Sequence, residues 1–466
     1  MGAGWRRCYA AAPVRYALTN YGHRFIARML RDGQVAARLG EPEVRGCAEL
    51  LARTSVAADG NEGLAALVDG GFVAAVPDEV DDEALRLAYA RNPLEHVERV
   101  VFEFTTLCNL DCQHCRNSNL EAIHEKRPER LRRVVDAMVP LGVTRFDFIG
   151  GEVTLFGRGW LELVEYLRAH GGDHAAVITS GWFLGEHDFL AAGVRYADDV
   201  AYLRALAERG LTHVVFSLDG PAAAHDRSRG VPGLYARVLA GFATVRAAGL
   251  EPRVSLVIDP AMSPAANAAW LGEIAAAMFG VEVATALHVR RMVSDRSNYI
   301  SNLIDVGGAV QIRRKSQKIA DIPDEILRCK NFFRPHPTFR VKASGEVSLC
   351  PLVEGGDGYG NVHERDVVEI MNHMQDALVY RLHAERRIGA YKHLLDPELF
   401  GSRIGHVCSL RTALNMLANV MQARGIREDD AEGLRAANRE VAEKIGLVPR
   451  IIKHRANGHA RPGREG

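Results

Sequence analysis

From residue 99 to residue 289 the chain alternates short apolar runs with amphipathic stretches. That alternation limits the fold more than any other feature. The runs at 99–105, 144–149, 174–179, 213–218, 252–258 and 283–289 read as strands. Between them apolar residues recur at helical spacing. Leu131, Val134, Val135 and Met138 share one face; Tyr235, Val238, Leu239, Phe242 and Val245 share another. Six strands separated by helices imply a parallel sheet of the α/β class. Parallel barrels carry their sites at the C-terminal ends of the strands, and the residues with chemistry lie there.

Just past the first strand come Cys108, Cys112 and Cys115. Neighbours this close are badly placed to bridge, and an odd number cannot all pair. Structural zinc takes four ligands, often as two short pairs set well apart, and no second pair follows nearby. A run of soft thiolates suits iron–sulfur chemistry. The alternative is a chance cluster of buried cysteines. Three within eight residues, flanked by the polar Asn109, Asp111 and Gln113, argue against it.

With its spacing and its place after a strand, the trio resembles the signature of the radical S-adenosylmethionine (radical SAM) superfamily. Further pieces follow in the same order. Gly150, Gly151 and Glu152 end the second strand, Thr179, Ser180 and Gly181 the third, and Ser217, Leu218, Asp219 and Gly220 the fourth. His225, Asp226, Arg229 and Gly230 come next. The resemblance covers about residues 98–365. It implies a partial (β/α)6 barrel and a [4Fe–4S] cluster held by Cys108, Cys112 and Cys115. It also implies S-adenosylmethionine (SAM) on the iron that no cysteine binds, cleaved by one electron to a 5′-deoxyadenosyl radical. The Gly150–Gly151–Glu152 turn would face the SAM amino group, with Val153 where the family usually has proline. His114 would lie near the adenine, Ser180 and Ser217 would offer hydroxyls, and Arg229 or Arg227 would meet the SAM carboxylate. For arginines, helix capping or solvent exposure is the plain alternative.

Residues 1–93 read as a separate helical unit. Phe25, Ile26, Met29 and Leu30 line one helix, Val44, Cys47, Leu50 and Leu51 a second, and Leu64, Leu67 and Val68 a third. Residues 72–76 then read as a strand. This pattern resembles a winged helix or the peptide-recognition module of some radical SAM maturases; the plain alternative is a docking domain. The barrel is expected over 94–300. Residues 301–365 carry Cys329, Gly345 and Cys350, with a hairpin over 338–349 around Ser344 and Gly345. They resemble the SPASM and twitch extensions, which hold a second iron–sulfur cluster. Cys408 would be its third cysteine, with His336 or His406 as candidate further ligands. The dense cysteine run of a full SPASM domain is absent from the sequence. Residues 366–450 read as helical, and 451–466 as a disordered tail rich in Arg, Gly and His.

Fifty-eight basic residues balance 58 acidic ones, so charge gives no reason to expect nucleic acid or a membrane as partner. Met1 to Asn20 lacks an apolar core of the secretory kind. Eight cysteines without such a segment point to metal use in a reducing cytoplasm. Glu103, Asp147, Asp219 and His288, near strand ends, are the candidate catalytic groups. Carboxylates there suit a cationic or hydroxylated small molecule. The layout loosely resembles aminoglycoside-tailoring enzymes, which implies radical dehydration of a sugar diol. A flavodoxin or ferredoxin-type donor would supply the electron, and a partner reductase could complete a deoxygenation. Two other readings stay open. One is a maturase of a ribosomally made peptide, gripped by the N-terminal unit. The other is a non-catalytic iron–sulfur or zinc regulator.

Overall fold

The computed structural model describes most of the barrel, namely residues 99–112, 115, 123–125, 127–155, 159–256 and 264–279. Before it come 15–19, 50, 55–57, 62–69, 72–76 and 97; after it come 319, 322, 324–327, 338–348, 358–384, 387–400 and 407–444. His114, His288, Cys329, Cys350 and the expected strand at 283–289 lie outside the described residues, as do the first two expected N-terminal helices beyond Leu50.

The central sheet has seven strands in the order β10-β9-β6-β5-β4-β11-β12. They are β4 (Arg99–Thr105), β5 (Arg145–Gly150), β6 (His174–Thr179), β9 (His213–Leu218), β10 (Glu251–Leu256), β11 (Thr338–Val341) and β12 (Val347–Ser348). Neighbours from β10 through β11 run parallel, and β12 turns back antiparallel. The alternation of the strands explains the layers. Val100, Phe102 and Phe104 of β4 are buried in the main core, as are Phe146 and Phe148 of β5. Phe148 packs 5.9 Å from Trp160 of the helix Gly159–Ala169. The other strand face therefore carries Glu103, Thr105 and Asp147 inward, away from the helices. Helix α1 (Pro128–Met138) begins with proline, which suits a first turn with no N–H partner, and buries Leu131, Val134, Val135 and Met138. Each such side chain contributes about 1.5–3 kcal/mol.

Two features were not apparent from the sequence. One is a hairpin, β7 (His187–Ala191) and β8 (Val194–Asp198), between β6 and the helix Asp199–Glu208. The other is the pairing of β11 with β4. Thr338 sits opposite Arg99 and Val341 opposite Phe102, so the C-terminal hairpin extends the barrel sheet. The N-terminal unit contains a three-stranded antiparallel sheet, β2-β1-β3, from Val56–Ala57, Arg15–Leu18 and Val73–Val76. Tyr16, Leu18, Val56 and Val73 join the same hydrophobic cluster as the barrel.

Near the N-terminal ends of the strands a polar belt crosses the inner face. Arg99 donates to Thr338 Oγ1 at 3.2 Å and pairs with Asp147 at 3.1 Å. Asp147 lies 3.9 Å from His174, whose ring lies 3.8 Å from that of His213. His213 meets Glu251 at 2.8 Å, and Arg253 meets Glu251 at 2.9 Å. Burial, then the charges of His213 and Arg253, pull His174 down to about 3. Burial and Arg253 lower His213 as well. Burial alone would raise Glu251, but the hydrogen bond and charge of Arg253 outweigh it and hold it at about 2. Both imidazoles stay neutral when folded and take a proton more readily when unfolded. Stability should thus be full above about pH 6.5, the unfolded histidine value, and fall as pH drops toward 3. Urea midpoints measured across that window should show the fall, and His174→Gln should flatten it.

Candidate active site

The cysteine loop rises from the C-terminal end of β4. Cys108 is exposed, Cys115 partly so and Cys112 buried. The Leu110 N–H points at Cys108 Sγ at 3.4 Å, and the Cys115 N–H donates to Cys112 O at 3.0 Å. The loop returns through Ile123, whose carbonyl accepts from Thr106 N–H at 2.8 Å. Burial pushes the Cys112 thiol up to about 11; the charge of Arg229 opposes this, while Cys115 and Asp219 add to it. Loading a metal cluster there must therefore displace a proton. Three thiols on one pinned loop, with an N–H aimed at one sulfur, fit a cluster bound at three corners.

The Gly150–Gly151–Glu152 turn is clamped to this loop. Gly151 N–H donates to Thr105 O at 2.6 Å, and Glu152 N–H to Leu107 O at 2.8 Å. A Cβ on Gly151 would lie 1.8 Å from Leu107 O, so only glycine allows the approach. Gly150 has φ +150°, and a Cβ there would strike Thr105 O at 2.0 Å.

Glu152 is buried beneath the turn. Its Oε1 accepts from Thr154 Oγ1 at 2.5 Å and Thr179 Oγ1 at 2.8 Å. Its Oε2 accepts from Ser180 N at 2.9 Å and Ser180 Oγ at 2.7 Å. The ends of β5 and β6 are thereby tied together. Ser180 and Glu152 thus spend these groups on each other. Arg229 forms a two-pronged bond to Asp219, at 2.5 and 3.1 Å. The Asp219 N–H donates to Nδ1 of buried His225 at 3.1 Å. Asp226 accepts from Gly233 N at 2.6 Å and Tyr235 N at 2.9 Å, which caps the next helix, Leu234–Ala247. Ser217 sits half-buried on β9, next to Ser255 of β10.

Glu103 faces the sheet interior and meets Arg340 at 3.1 Å and Lys342 at 3.2 Å. Asp147 lies lower, in the polar belt with Arg99. The structure thus brings together Cys108, Cys112, Cys115, Gly150, Gly151, Glu152, Ser180, Asp219 and Arg229 around one mouth. Cys408 is the second residue of the helix Val407–Arg424, and its side chain lies outside the described part of the structure. Arg340 and Lys342 were missed. Their signal was available: two basic residues at period two on a strand whose other face is Phe339 and Val341. Thr179, the second hydroxyl on Glu152, was missed for want of any marker beyond its motif.

Residues 102–260 match the Radical SAM superfamily. That stretch is a radical SAM domain, and such domains work with a [4Fe–4S] cluster and SAM. Curated relatives match over about a third of the chain. Fe-coproporphyrin III synthase of Methanosarcina barkeri is 28% identical over 162 residues, 34% of this chain and 37% of that one. GTP 3′,8-cyclase 2 of Mycobacterium tuberculosis is 34% identical over 34% of this chain and 41% of its own. Mycofactocin maturase MftC of Mycobacterium ulcerans is 30% identical, over 34% and 39%. The chain thus matches about two fifths of the length of these relatives. Among solved structures, Streptococcus suis SuiB bound to S-adenosylmethionine superposes with a TM-score of 0.43 at 12% identity, over 81% of this chain and 89% of that one. No helix among the described residues is long and apolar enough to cross a membrane.

Proposed function

We propose that the chain is a radical SAM enzyme that removes a hydrogen atom from a ribosomally made peptide, with the N-terminal unit as the grip. The observation that carries this reading is the edge of the N-terminal sheet. Strand β3 has a single strand neighbour, β1, among the described residues. An extended peptide can add to such an edge through backbone bonds. The likeness to a peptide maturase, 30% identical over 34% of this chain, supports the same class.

The amino-sugar reading loses its main support. A polycationic sugar calls for carboxylates, yet Glu103 meets Arg340 and Lys342, Asp147 meets Arg99, and Asp219 meets Arg229. Dehydration of an aminoglycoside-type diol, with a partner reductase, is therefore the second reading.

In either reading Cys108, Cys112 and Cys115 hold the cluster, and a bound cluster with SAM supplies a hydrogen-abstracting adenosyl radical. The Gly150–Gly151 backbone, Ser217 and His114 would orient SAM. Arg229, locked by Asp219, would set the charge beside Cys112. Cys329, Cys350 and Cys408 would hold an auxiliary cluster, and His288 would act from the barrel. A flavodoxin or ferredoxin-type protein of the reducing cytoplasm would donate the electron.

Anaerobically reconstituted protein given dithionite and SAM is expected to release 5′-deoxyadenosine. Release should rise with synthetic peptides encoded by short reading frames beside its gene. No release from fully iron-loaded protein would refute an enzymatic role. Stimulation by aminoglycosides and not by peptides would restore the sugar reading.

A further inference from the structure

The cysteine loop has two limbs, and the return limb is held from an unexpected quarter. Bonds from its backbone N–H groups fasten it first: Ile123 N–H donates to the side-chain Thr106 Oγ1 at 2.7 Å, and Glu125 N–H to Phe104 O at 2.9 Å. Glu125 is only 4% exposed. One of its carboxylate oxygens accepts from Arg127 N–H at 2.7 Å. The other accepts from Nε2 of His363 at 2.8 Å, a residue 238 positions later in the chain.

His363 is itself gripped by the turn between β11 and β12. Gly345 there has φ +87°, and a Cβ on it would lie 2.3 Å from the His363 ring. Asn361 ties the same turn, with Nδ2 donating to Ser344 O at 2.9 Å and Oδ1 accepting from His363 N–H at 2.9 Å. Val362 N–H donates to Gly345 O at 2.9 Å. Arg130, at the start of α1, donates to the His363 carbonyl. Nδ1 of His363 is buried with no hydrogen-bond partner among the described residues. Among the described residues, the ring's one polar link is thus to Glu125.

We propose that His363 is a positioning residue: through Glu125 it fixes the return limb of the cysteine loop, so that the hold on the cluster depends on the C-terminal turn. The proposal rests on the reading of Cys108, Cys112 and Cys115 as the cluster site. The physical cause is direct. A buried carboxylate that loses its donor must find water or swing outward. Glu125 N–H shares its residue with that carboxylate, so the bond to Phe104 O loosens with it. The loop then has one firm limb instead of two.

The test uses the full chain, loaded anaerobically and reduced. The readout is the part of the paramagnetic [4Fe–4S] signal that changes on adding SAM, followed over time in excess chelator. His363→Leu is expected to shorten its lifetime by about tenfold, the effect of losing one charge-assisted hydrogen bond. His363→Gln keeps an N–H within reach of Glu125 and should recover most of it. Glu125→Ala, which removes both carboxylate oxygens, should shorten the lifetime too, and combining it with His363→Leu should add little, since both cut the link between these residues. An unmoved lifetime in His363→Leu, failure of His363→Gln to recover it, or full additivity would each overturn the proposal. Should His363→Leu fail to fold, as melting of the metal-free chain would reveal, Glu125→Ala decides alone: an unchanged lifetime there overturns it. A wild-type chain with no SAM-responsive signal would overturn the cluster reading and this proposal together. A normal wild-type signal with unmoved variants overturns this proposal alone.

Discussion

Gly151→Ala should cut SAM cleavage by about a hundredfold, the loss that a misplacement of about 1 Å can cause. The added Cβ would fall 1.8 Å from Leu107 O and 2.4 Å from Leu107 C. Both atoms are backbone of the cysteine loop, so no side chain can rotate out of the way. Either the turn or the loop must retreat, and the bond from Glu152 N–H to Leu107 O stretches with it. The chain should stay folded, because the clash is at the mouth of the sheet and not in its core. Rates of 5′-deoxyadenosine release, set beside iron content and melting temperature, separate the two effects. Undiminished cleavage would mean that the turn does not register the loop.

Glu152→Leu should destabilise the fold by about 3–5 kcal/mol. The carboxylate collects Thr154 Oγ1, Thr179 Oγ1, Ser180 N and Ser180 Oγ, all buried. Leucine fills similar space and accepts nothing. The hydroxyls can turn toward other acceptors, but the Ser180 N–H is fixed by the backbone and stays stranded. Glu152→Gln keeps one acceptor oxygen and sets an amide N–H against the remaining donors, so it should cost less than the leucine variant. Denaturant midpoints of the metal-free chain measure both. Equal stability in Glu152→Leu and wild type would show that solvent reaches these donors. Through these bonds the Glu152 carboxylate braces β5 against β6.

The barrel strands were legible because each is a local pattern. The expected run 174–179 coincides with β6, 213–218 with β9, and 252–258 overlaps Glu251–Leu256. The cysteine loop and its glycine turn were legible because their spacing is short. What escaped was pairing over distance. The hairpin over 338–349 was recognised, but nothing near Thr338 says that its partner is Arg99, 239 residues earlier. Without that pairing, Glu103 reads as a carboxylate awaiting substrate. With it, Glu103 becomes the acceptor for Arg340 and Lys342. The β7–β8 hairpin escaped for another reason. Its turn is Ala192–Gly193, with Ala192 at φ 50°, and lacks the Asn-Gly or Asp-Gly pair that marks such turns. The buried link from Glu125 to His363 left no trace at either end, since a lone Glu and a lone His are ordinary residues.

The place of β11 beside β4 also bears on how the molecule is made. Ribosomes add about 5–20 residues per second, so on the order of ten seconds or more separate the emergence of Arg99 from that of its neighbour Thr338. During that interval the strand that leads into Cys108 presents an unpaired edge, the kind that recruits foreign strands. Metal delivery before the C-terminal hairpin is synthesised would meet a nascent chain with that flank still bare.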